Sequence, residues 1–200
     1  MRFVVCLRST VDPVSSPALR SAASLRCRED EVIVVSMGTT KAVPMLQAAL
    51  SHGANAAFLL SDPAFAGADT HATSRALQAF IGKFVEGQFM VLTQPSDAQA
   101  PTGVVPARLA GLLGVEQFYF VTSVSRDDSG VTCVQDYGDE VRRCSVPDGS
   151  VLCVETSDFD LPETSPDAQV VTLNRVDLGL GLYSCGKEGS RTAFFNKGAS

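Results

Sequence analysis

The sequence is poor in histidine, and this scarcity limits the chemistry that the chain can perform. Only His52 and His71 occur among its 200 residues. Two isolated histidines argue against a zinc site and against a nucleophile paired with a histidine base. The sequence also lacks the G-x-G-x-x-G and G-x-x-x-x-G-K-[ST] patterns, so it offers neither a dinucleotide fingerprint nor a P-loop. We therefore expect neither a metal site nor a nucleophile that is activated by a histidine base.

Basic residues and long apolar runs are also scarce. The chain has 16 Lys and Arg residues against 22 Asp and Glu residues, which gives a net charge of −6. No stripe of Lys and Arg is present that would attract a phosphate backbone. No run of about 18 apolar residues occurs, and the apolar run before Arg8 is too short for a signal-peptide core. These absences argue against nucleic-acid binding and membrane insertion, and they predict a soluble, cytoplasmic protein.

Cysteine is present, but without a recognisable pattern. The sequence has no C-x-x-C motif and no paired spacing, and most cysteines lie in apolar runs, where cysteine behaves as a small hydrophobic residue. The six are Cys6, Cys27, Cys133, Cys144, Cys153 and Cys185. We predict reduced structural thiols rather than disulfides, a metal site or a redox pair.

The apolar residues follow two periodicities that alternate along the first half of the chain. Short continuous apolar runs, typical of strands covered on both faces, occur at Arg2 to Leu7, Glu31 to Gly38, Ala56 to Asp62 and Gln88 to Gln94. Helical stripes in the connections comprise Val43, Leu46, Ala49 and Leu50; Ala72, Ala76, Leu77, Phe80 and Ile81; and Val105, Leu109, Leu112 and Leu113. Strands that alternate with helices predict an α/β fold with an open, mostly parallel sheet and helices on both faces.

The pattern changes after residue 116. The sequence from Gln117 to Val154 is typical of strands, with a turn at "RDDSG". It predicts antiparallel hairpins that extend or flank the sheet. Residues 155–168 are rich in Pro, Ser, Thr and acidic residues and predict a loop. We therefore interpret the chain as a single domain of four parts: an α/β core (1–116), a β-hairpin region (117–154), this loop (155–168) and a C-terminal arm (169–200).

Two loops of the predicted sheet are the first places to look for a ligand. In open α/β sheets, ligands bind outside the carboxyl ends of the strands where the strand order reverses, so we expect a ligand at the loops 8–17 and 94–106. In the second loop, Thr102 and Gly103 precede a helical stripe. Backbone N–H groups at a helix start and a hydroxyl could hold a phosphate there, and a simple capped helix start is the alternative.

Four stretches of the sequence resemble the beta subunit of electron-transfer flavoproteins. They are "VVSMG" (34–38), "ALSHGANAAFLLSDPAFAGADTHAT" (49–73), "PARLAGLLGV" (106–115) and "VDLGLGL" (176–182), and they follow the family's order over nearly the whole chain. The most specific part, "SDPAFAGADTHAT", joins the third strand to its helix in the family. We predict that Asp62, Asp69 and Thr70 cap and tie this loop rather than perform chemistry.

The resemblance implies an electron-carrying function and the fold of adenine-nucleotide alpha hydrolases. A beta subunit of this family forms a heterodimer with a larger alpha subunit, which supplies most of the site for the electron-carrying FAD. The pair transfers electrons between flavin dehydrogenases or oxidoreductases. The beta subunit itself binds AMP or, in electron-bifurcating members, a second FAD. Such a protein holds and tunes a cofactor and needs no catalytic residue of its own.

Matched residue by residue, the resemblance implies a nucleotide site in the first strand, the first loop, the second strand and a phosphate loop. Its residues are Cys6, Ser16, Pro17, Ala18, Leu19, Met37, Thr102, Gly103, Val104, Val105 and Pro106. Some of these positions also fit a structural role. Cys6 and Met37 suit the strand core, Pro17 the first turn of a helix, and Val105 a helical stripe.

The sequence departs from the family within this site. "DAQAP" stands before Thr102, where the family has an acid and a glycine, and Val104 and Val105 replace Gln and Gly. The first loop is shorter and reads "SPA" in place of Asn-Pro-Phe. Because a glycine lets backbone approach a phosphate closely, two alternatives stay open. They are a ligand-free structural or regulatory protein of the same fold, and an adenine-nucleotide-binding stress-type protein.

Two further segments are implied to meet partner proteins. Residues 170–195 resemble the arm that embraces the alpha subunit, and we expect their apolar side chains to lack a strand or helix position in the lone domain. Residues 155–168 correspond to a loop that docks electron donors and are acidic here. If this loop docks, Phe159 and Leu161 are its anchors and the partner presents a basic rim. A solvated linker is the alternative.

Overall fold

The computed structural model describes residues 1–95, 104–165 and 167–192, and the elements below lie within these ranges. The strands are β1 (Arg2–Cys6), β2 (Glu31–Met37), β3 (Ala56–Leu60), β4 (Phe89–Thr93), β5 (Gln117–Asp127), β6 (Gly130–Asp136), β7 (Val141–Val146), β8 (Val151–Val154) and β9 (Val170–Leu173). The helices are α1 (Pro17–Leu25), α2 (Val43–Ser51), α3 (Thr70–Phe84), α4 (Val104–Leu113) and α5 (Gly186–Gly189). Among the described residues, no helix combines the length and the apolar character that a membrane span requires.

The strands form one sheet with the order β7-β6-β5-β8-β4-β1-β2-β3-β9. The first four strands pair in parallel, as the sequence predicts. The chain passes outward from β1 to β2 and β3 and then places β4 on the opposite side of β1. The strand order therefore reverses between β1 and β4, which opens a crevice at their carboxyl ends.

Helices cover both faces of the sheet. On one face, Leu19 of α1 and Leu50 of α2 are fully buried. On the other, Phe80 of α3 and Leu109 of α4 are fully buried. These two cores confirm the predicted α/β class. The sequence showed no apolar stripe for α1, which begins where the Ser16 hydroxyl accepts a hydrogen bond from a backbone N–H and a proline occupies the first helical position.

The loop after β3 is built from two capping aspartates. Asp62 caps a 3-10 turn, and its second carboxylate oxygen accepts the N–H of Arg175 at 3.1 Å. Asp69 caps α3 by accepting the N–H of Ala72 at 2.9 Å, and Thr70 is the first residue of that helix. The predicted capping role is confirmed. The loop also ties the C-terminal segment to the domain.

Only part of the region 117–154 has the predicted hairpin arrangement. β5, β6 and β7 form antiparallel pairs, but β8 pairs in parallel with both β4 and β5. The prediction of antiparallel hairpins is therefore wrong for β8. All four residues of β8 are buried, and a strand that is apolar on both faces fits the middle of a covered sheet.

A bend divides β5 into two halves. Phe120 has a positive φ of 53°, and the register of β5 shifts near it against both neighbouring strands. Beyond the bend, the guanidinium of Arg126 donates to the carbonyl of Leu25 at the end of α1 and pairs with Asp30. Asp30 also pairs with the amino group of Met1 at 2.6 Å. The second half of β5 thus crosses α1, and the hairpins enlarge the core on that face.

The C-terminal segment begins inside the sheet. β9 pairs in parallel with β3, and Leu178 and Cys185 are buried against the face that carries α3. The expectation that these apolar residues lack a position in the lone domain is therefore wrong, because the open edge of β3 accepts a further strand. Other apolar residues of the segment stay exposed: Val176 by 65%, Leu182 by 50% and Tyr183 by 81%.

The acidic loop runs from β8 in the middle of the sheet to β9 at its edge. Thr164 holds it to the end of α2, where its hydroxyl donates to the carbonyl of Leu50 at 2.9 Å and its N–H to that of Ser51 at 2.8 Å. Leu161 packs on the core of the protein itself, so it is not free to anchor a partner, contrary to our expectation. Phe159 is 40% exposed.

Candidate functional site

A cavity of about 330 Å³ opens where the strand order reverses. The ends of β1, β2 and β4 form its floor, and the beginnings of α3 and α4 form its sides. Ligands of open α/β sheets bind at this place because the connections from neighbouring strands leave in opposite directions there. Here α1 follows β1 onto one face and α4 follows β4 onto the other. The cavity is therefore a direct product of the strand order.

The structure brings five of the predicted site residues together at this cavity. Cys6 and Met37 come from the ends of β1 and β2, and Val104, Val105 and Pro106 form the first turn of α4. These five line the cavity. Residues from three elements that are distant in sequence thus meet at one cavity.

The four predicted residues from the first loop do not line the cavity. Ser16 caps α1, while Ala18 and Leu19 are fully buried in the core below that helix and Pro17 stands in its first turn. Ser16 still reaches the site indirectly, since its hydroxyl donates to the side-chain oxygen of Gln94, which lines the cavity. The other two predicted residues, Thr102 and Gly103, lie outside the described residues.

The walls of the cavity are mainly apolar. Besides the thiol of Cys6, they include the side chains of Leu7, Val35, Met37 and Leu77. Although part of Cys6 faces the cavity, burial raises the pKa of its thiol to about 12. This thiol therefore stays neutral at physiological pH and serves as an uncharged wall rather than a nucleophile. Such walls suit a flat, weakly polar group such as a heterocyclic base.

Residues at the start of α3 also line the cavity, and sequence analysis missed them as site residues. They are Asp69, Thr70 and Thr73. The carboxylate of Asp69 accepts backbone N–H groups from Arg191 at 2.8 Å and Thr192 at 3.0 Å as well as from its own helix. Burial by itself raises the pKa of Asp69, but these hydrogen bonds outweigh it and hold the pKa well below its usual range. This side of the cavity is therefore negatively charged.

Polar side chains at the strand ends also line the cavity, and the sequence motifs did not identify them as site residues. Arg8, Thr93 and Gln94 all line the cavity. Thr93 donates its hydroxyl hydrogen to the carbonyl of Leu152 at 3.1 Å, which fixes the side chain against β8. Arg8 is the one Lys or Arg side chain among the described residues that line the cavity. Its position in the loop after β1 was the only signal in the sequence that could have identified it.

The first turn of α4 forms the edge of the cavity that favours an anion. The first backbone N–H groups of an α-helix have no partner within the helix and carry partial positive charge. Val104, Val105 and Pro106 place this turn against the cavity, although Pro106 has no N–H to offer. A phosphate would meet this edge with less repulsion than the side formed by Asp69.

Neither histidine contributes to the cavity. His71 is buried between α3 and α4, where its Nδ1 accepts a hydrogen bond from Nε of Arg108 at 2.5 Å. Burial, followed by the charge of Arg108, lowers its pKa, so it stays neutral and structural. The Nδ1 of His52 lies 2.7 Å from the carbonyl of Ala48 in α2. In the part of the chain that the structure describes, no three His, Cys, Asp or Glu residues are arranged to hold a metal ion.

Comparison with known proteins identifies similar sequences. Residues 5–178 match the family model of the electron transfer flavoprotein domain. The chain is 38% identical over 117 residues to the electron transfer flavoprotein subunit beta of Thermoanaerobacterium thermosaccharolyticum. It is 32% identical over 196 residues to CarD, a subunit of the caffeyl-CoA reductase-Etf complex of Acetobacterium woodii. It is 36% identical over 122 residues to the protein FixA of Bradyrhizobium diazoefficiens.

These similarities differ in extent. The match with CarD covers 94% of this chain and 74% of CarD. The match with the Thermoanaerobacterium protein covers 58% of this chain and 44% of that protein, and the match with FixA covers 59% and 42%. In two of the three comparisons, the aligned part is therefore less than half of the related protein.

Proposed function

Because this chain belongs to the electron transfer flavoprotein domain family, we propose that it is a beta-type subunit that binds an adenine nucleotide and carries electrons as a heterodimer with an alpha subunit. Two of the relatives are named as an electron transfer flavoprotein subunit beta and a subunit of an Etf complex. Both names describe a chain that works with others. The electron donor and acceptor would be flavin dehydrogenases or oxidoreductases.

The observation that carries this proposal is the cavity between β1 and β4. Its volume of about 330 Å³ lies within the range of about 300–1,000 Å³ found for small-molecule sites. Its apolar walls and the helix start at Val104 fit the base and the phosphates of one nucleotide. AMP, or the adenine half of FAD, has both chemical features. The residues present therefore fit such a ligand.

Each part of the cavity has a distinct role in this proposal. Cys6 and Met37 pack against the base, and the first turn of α4 meets the phosphate. The negative charge of Asp69 keeps the phosphate away from α3, which fixes the direction in which the ligand lies. A bound FAD would supply the redox chemistry, whereas AMP would add none. The protein contributes binding, orientation and exclusion of water.

The C-terminal segment supports the proposed pairing with an alpha subunit. Its buried residues attach it to the domain, while Val176, Leu182 and Tyr183 present apolar side chains to solvent. Tyrosine and large aliphatic side chains are often covered at the centre of protein interfaces. We propose that this exposed part of the segment contacts the alpha subunit.

The experiment that tests the proposed ligand is the identification of nucleotide released from the purified protein. The chain is purified alone, because an alpha subunit would bring its own FAD, and it is then denatured and the released nucleotides are separated by anion exchange. We expect AMP or FAD at nearly one molecule per chain. A folded protein that releases neither would contradict nucleotide binding and favour the ligand-free structural or regulatory alternative.

A pocket variant sharpens this test. The substitution Thr73→Trp places a large ring in the cavity from α3, so we expect it to lower nucleotide occupancy at least tenfold (about 1.4 kcal/mol). Thr73→Ser leaves the cavity open and is the matched control. The free energy of unfolding of both variants without nucleotide is measured in urea. Equal occupancy in folded Thr73→Trp and Thr73→Ser would show that the ligand lies elsewhere.

A further inference from the structure

The hairpin region places two cysteines opposite each other. Cys133 in β6 is the register partner of Cys144 in the antiparallel β7. Opposed residues of antiparallel strands point to the same face, and their Cα atoms are about 4.5 or 5.5 Å apart. Both separations fall in the range of about 4.4–6.8 Å that a disulfide can bridge. We infer that Cys133 and Cys144 form a reversible cross-strand disulfide when the protein meets a thiol oxidant.

The surroundings of the two thiols suggest different roles in this reaction. Cys133 is 1% exposed and lies in the core, and burial, followed by the nearby Cys144, raises its pKa to about 11. Cys144 is only partly buried and packs against the same core. An oxidant from solution therefore reaches Cys144 first. Cys133 then resolves the product, because its sulfur lies on the same face directly across the strand pair.

The reaction is balanced with an azo compound such as diamide as the oxidant. The Cys144 thiolate adds to one nitrogen of the N=N bond, and the other nitrogen takes up a proton. The sulfur of Cys133 then attacks the sulfur of Cys144, and the S–N bond breaks with its electron pair passing to nitrogen. The proton of Cys133 goes to that nitrogen. Two thiols have lost two electrons and two protons, and the azo compound has become a hydrazine.

No other cysteine is placed to compete for this bond. Cys153 in β8 is separated from Cys133 in β6 by β5, so these strands lie two strand spacings, about 9–10 Å, apart, and Cys6 in β1 lies two strands further along the sheet. Cys27 is exposed in the turn after α1, and Cys185 is buried in the C-terminal segment. Because Cys27 is exposed, its thiol is the one that can link two molecules. All six thiols are free in this structure.

The disulfide would change the sheet edge around it. The Cys144 thiol donates to the side-chain oxygen of Gln135 at 3.4 Å, and the amide nitrogen of Gln135 donates to the carbonyl of Tyr119 and the hydroxyl of Tyr137. Oxidation removes the thiol donor from this group and ties β7, the outermost strand, to β6. We therefore expect the amides of β7 to exchange with solvent more slowly in the oxidised protein.

The test uses the full chain with Cys27→Ser, so that exposed thiols do not link two molecules. The folded protein is treated with diamide, alkylated, and digested with trypsin without reduction. We expect peptide 127–142 joined to peptide 144–175, with the mass of two hydrogen atoms lost and the link reversed by dithiothreitol. Cys153 lies in the second peptide, so Cys153→Ser must retain the link while Cys144→Ser abolishes it.

Three results would overturn the inference: a folded protein that forms no link, a link that survives Cys144→Ser, or a link that appears only after unfolding in urea. Cys133→Ala replaces Cys144→Ser should the latter fail to fold. Hydrogen exchange of residues 141–146 is compared before and after oxidation. Unchanged exchange in a fully linked protein would show that the bond does not stabilise the strand edge.

Discussion

At the scale of single residues, Phe120 determines the course of β5. Its φ of 53° lies in the left-handed region, which costs about 1–2 kcal/mol for a residue with a side chain. The ring packs edge-on against Tyr137 at a centroid distance of 5.4 Å, and Arg142 lies over Tyr137 at 5.3 Å. These contacts offset part of the backbone cost and hold the bend that sends β5 across α1.

Substitution of Phe120 by glycine or by valine tests whether this position requires a positive φ, because glycine adopts such a φ readily and valine does not. We expect Phe120→Gly to be more stable than Phe120→Val by about 1–2 kcal/mol, because glycine adopts positive φ freely and a β-branched residue does not. The free energy of unfolding in urea measures the difference. Ser125, an exposed position later in the same strand, is the control, and there we expect the valine variant to be more stable. The same order at both positions would contradict a left-handed Phe120.

The charge of Asp69 holds the end of the described C-terminal segment, because its carboxylate accepts the backbone N–H groups of Arg191 and Thr192. The pKa of Asp69 is lower in the folded protein than in the unfolded chain, where it is about 3.9. The stability that the carboxylate contributes is therefore fully present above about pH 4 and is lost as the pH falls towards the folded pKa. We expect Asp69→Asn to flatten this acid-side loss of stability, measured as the free energy of unfolding between about pH 3 and 7. An unchanged pH profile would show that Asp69 is not the group responsible.

At the scale of elements, the C-terminal segment divides into an attached part and an exposed part. β9, Leu178 and Cys185 join the fold, and the backbone N–H of Arg191 binds the cap of α3. The segment is therefore a component of the domain as far as the structure describes it. Its exposed apolar side chains are the part that a partner could cover.

Two substitutions separate these roles. We expect Leu178→Ala to destabilise the lone chain by about 2–5 kcal/mol, because Leu178 is only 4% exposed and its loss leaves a cavity. Tyr183→Ala should change the free energy of unfolding by less than about 0.5 kcal/mol but weaken the 1:1 complex with an alpha subunit, as measured by light scattering. A Tyr183→Ala variant that forms the complex normally would exclude this side chain from the interface.

At the scale of the whole molecule, charge distinguishes the acidic loop from the rest of the surface. Residues 155–168 contain Glu155, Asp158, Asp160, Glu163 and Asp167 and no basic residue. Thr164 fixes this charge against the end of α2. A partner that docks there must present a basic rim, because contacts between like charges are penalised.

Electron transfer at increasing salt concentration tests whether the loop docks a partner. Salt screens charge over about 8 Å at physiological ionic strength, so docking through the loop should slow as salt is added. A variant with Asp158→Asn, Asp160→Asn and Glu163→Gln should lose most of that dependence. A variant with Asp128→Asn, Asp139→Asn and Glu116→Gln, three exposed positions outside the loop, removes the same total charge and is the control. Identical rates for the loop variant and the parent at every ionic strength would leave the loop as a solvated linker.

Much of the α/β core was predictable from local patterns. The runs at β1 to β4 are apolar on both faces, and the stripes of α2 and α3 repeat at helical spacing. Each pattern therefore indicates both the type of element and the faces that are buried. Asp62 and Asp69 were also predictable as caps, because a cap depends only on residues that are close in the sequence. The assignment of Cys6 and Met37 to one site came from the family resemblance rather than from a local pattern.

Tertiary structure decided the features that depend on residues far apart in the chain. β8 pairs in parallel with β4, and β9 pairs in parallel with β3. The local sequence of a strand does not indicate which neighbouring strand has an unpaired edge. Asp69 and Thr73 join the cavity because α3 begins beside β1 and β2, while Ser16 to Leu19 turn into the core with α1. The opposed pair Cys133 and Cys144 exists only through strand register. The sequence thus determined which segments are buried, because the spacing of apolar residues along the chain indicates burial. Long-range strand pairing determined which residues meet, because local spacing does not indicate contacts between distant residues.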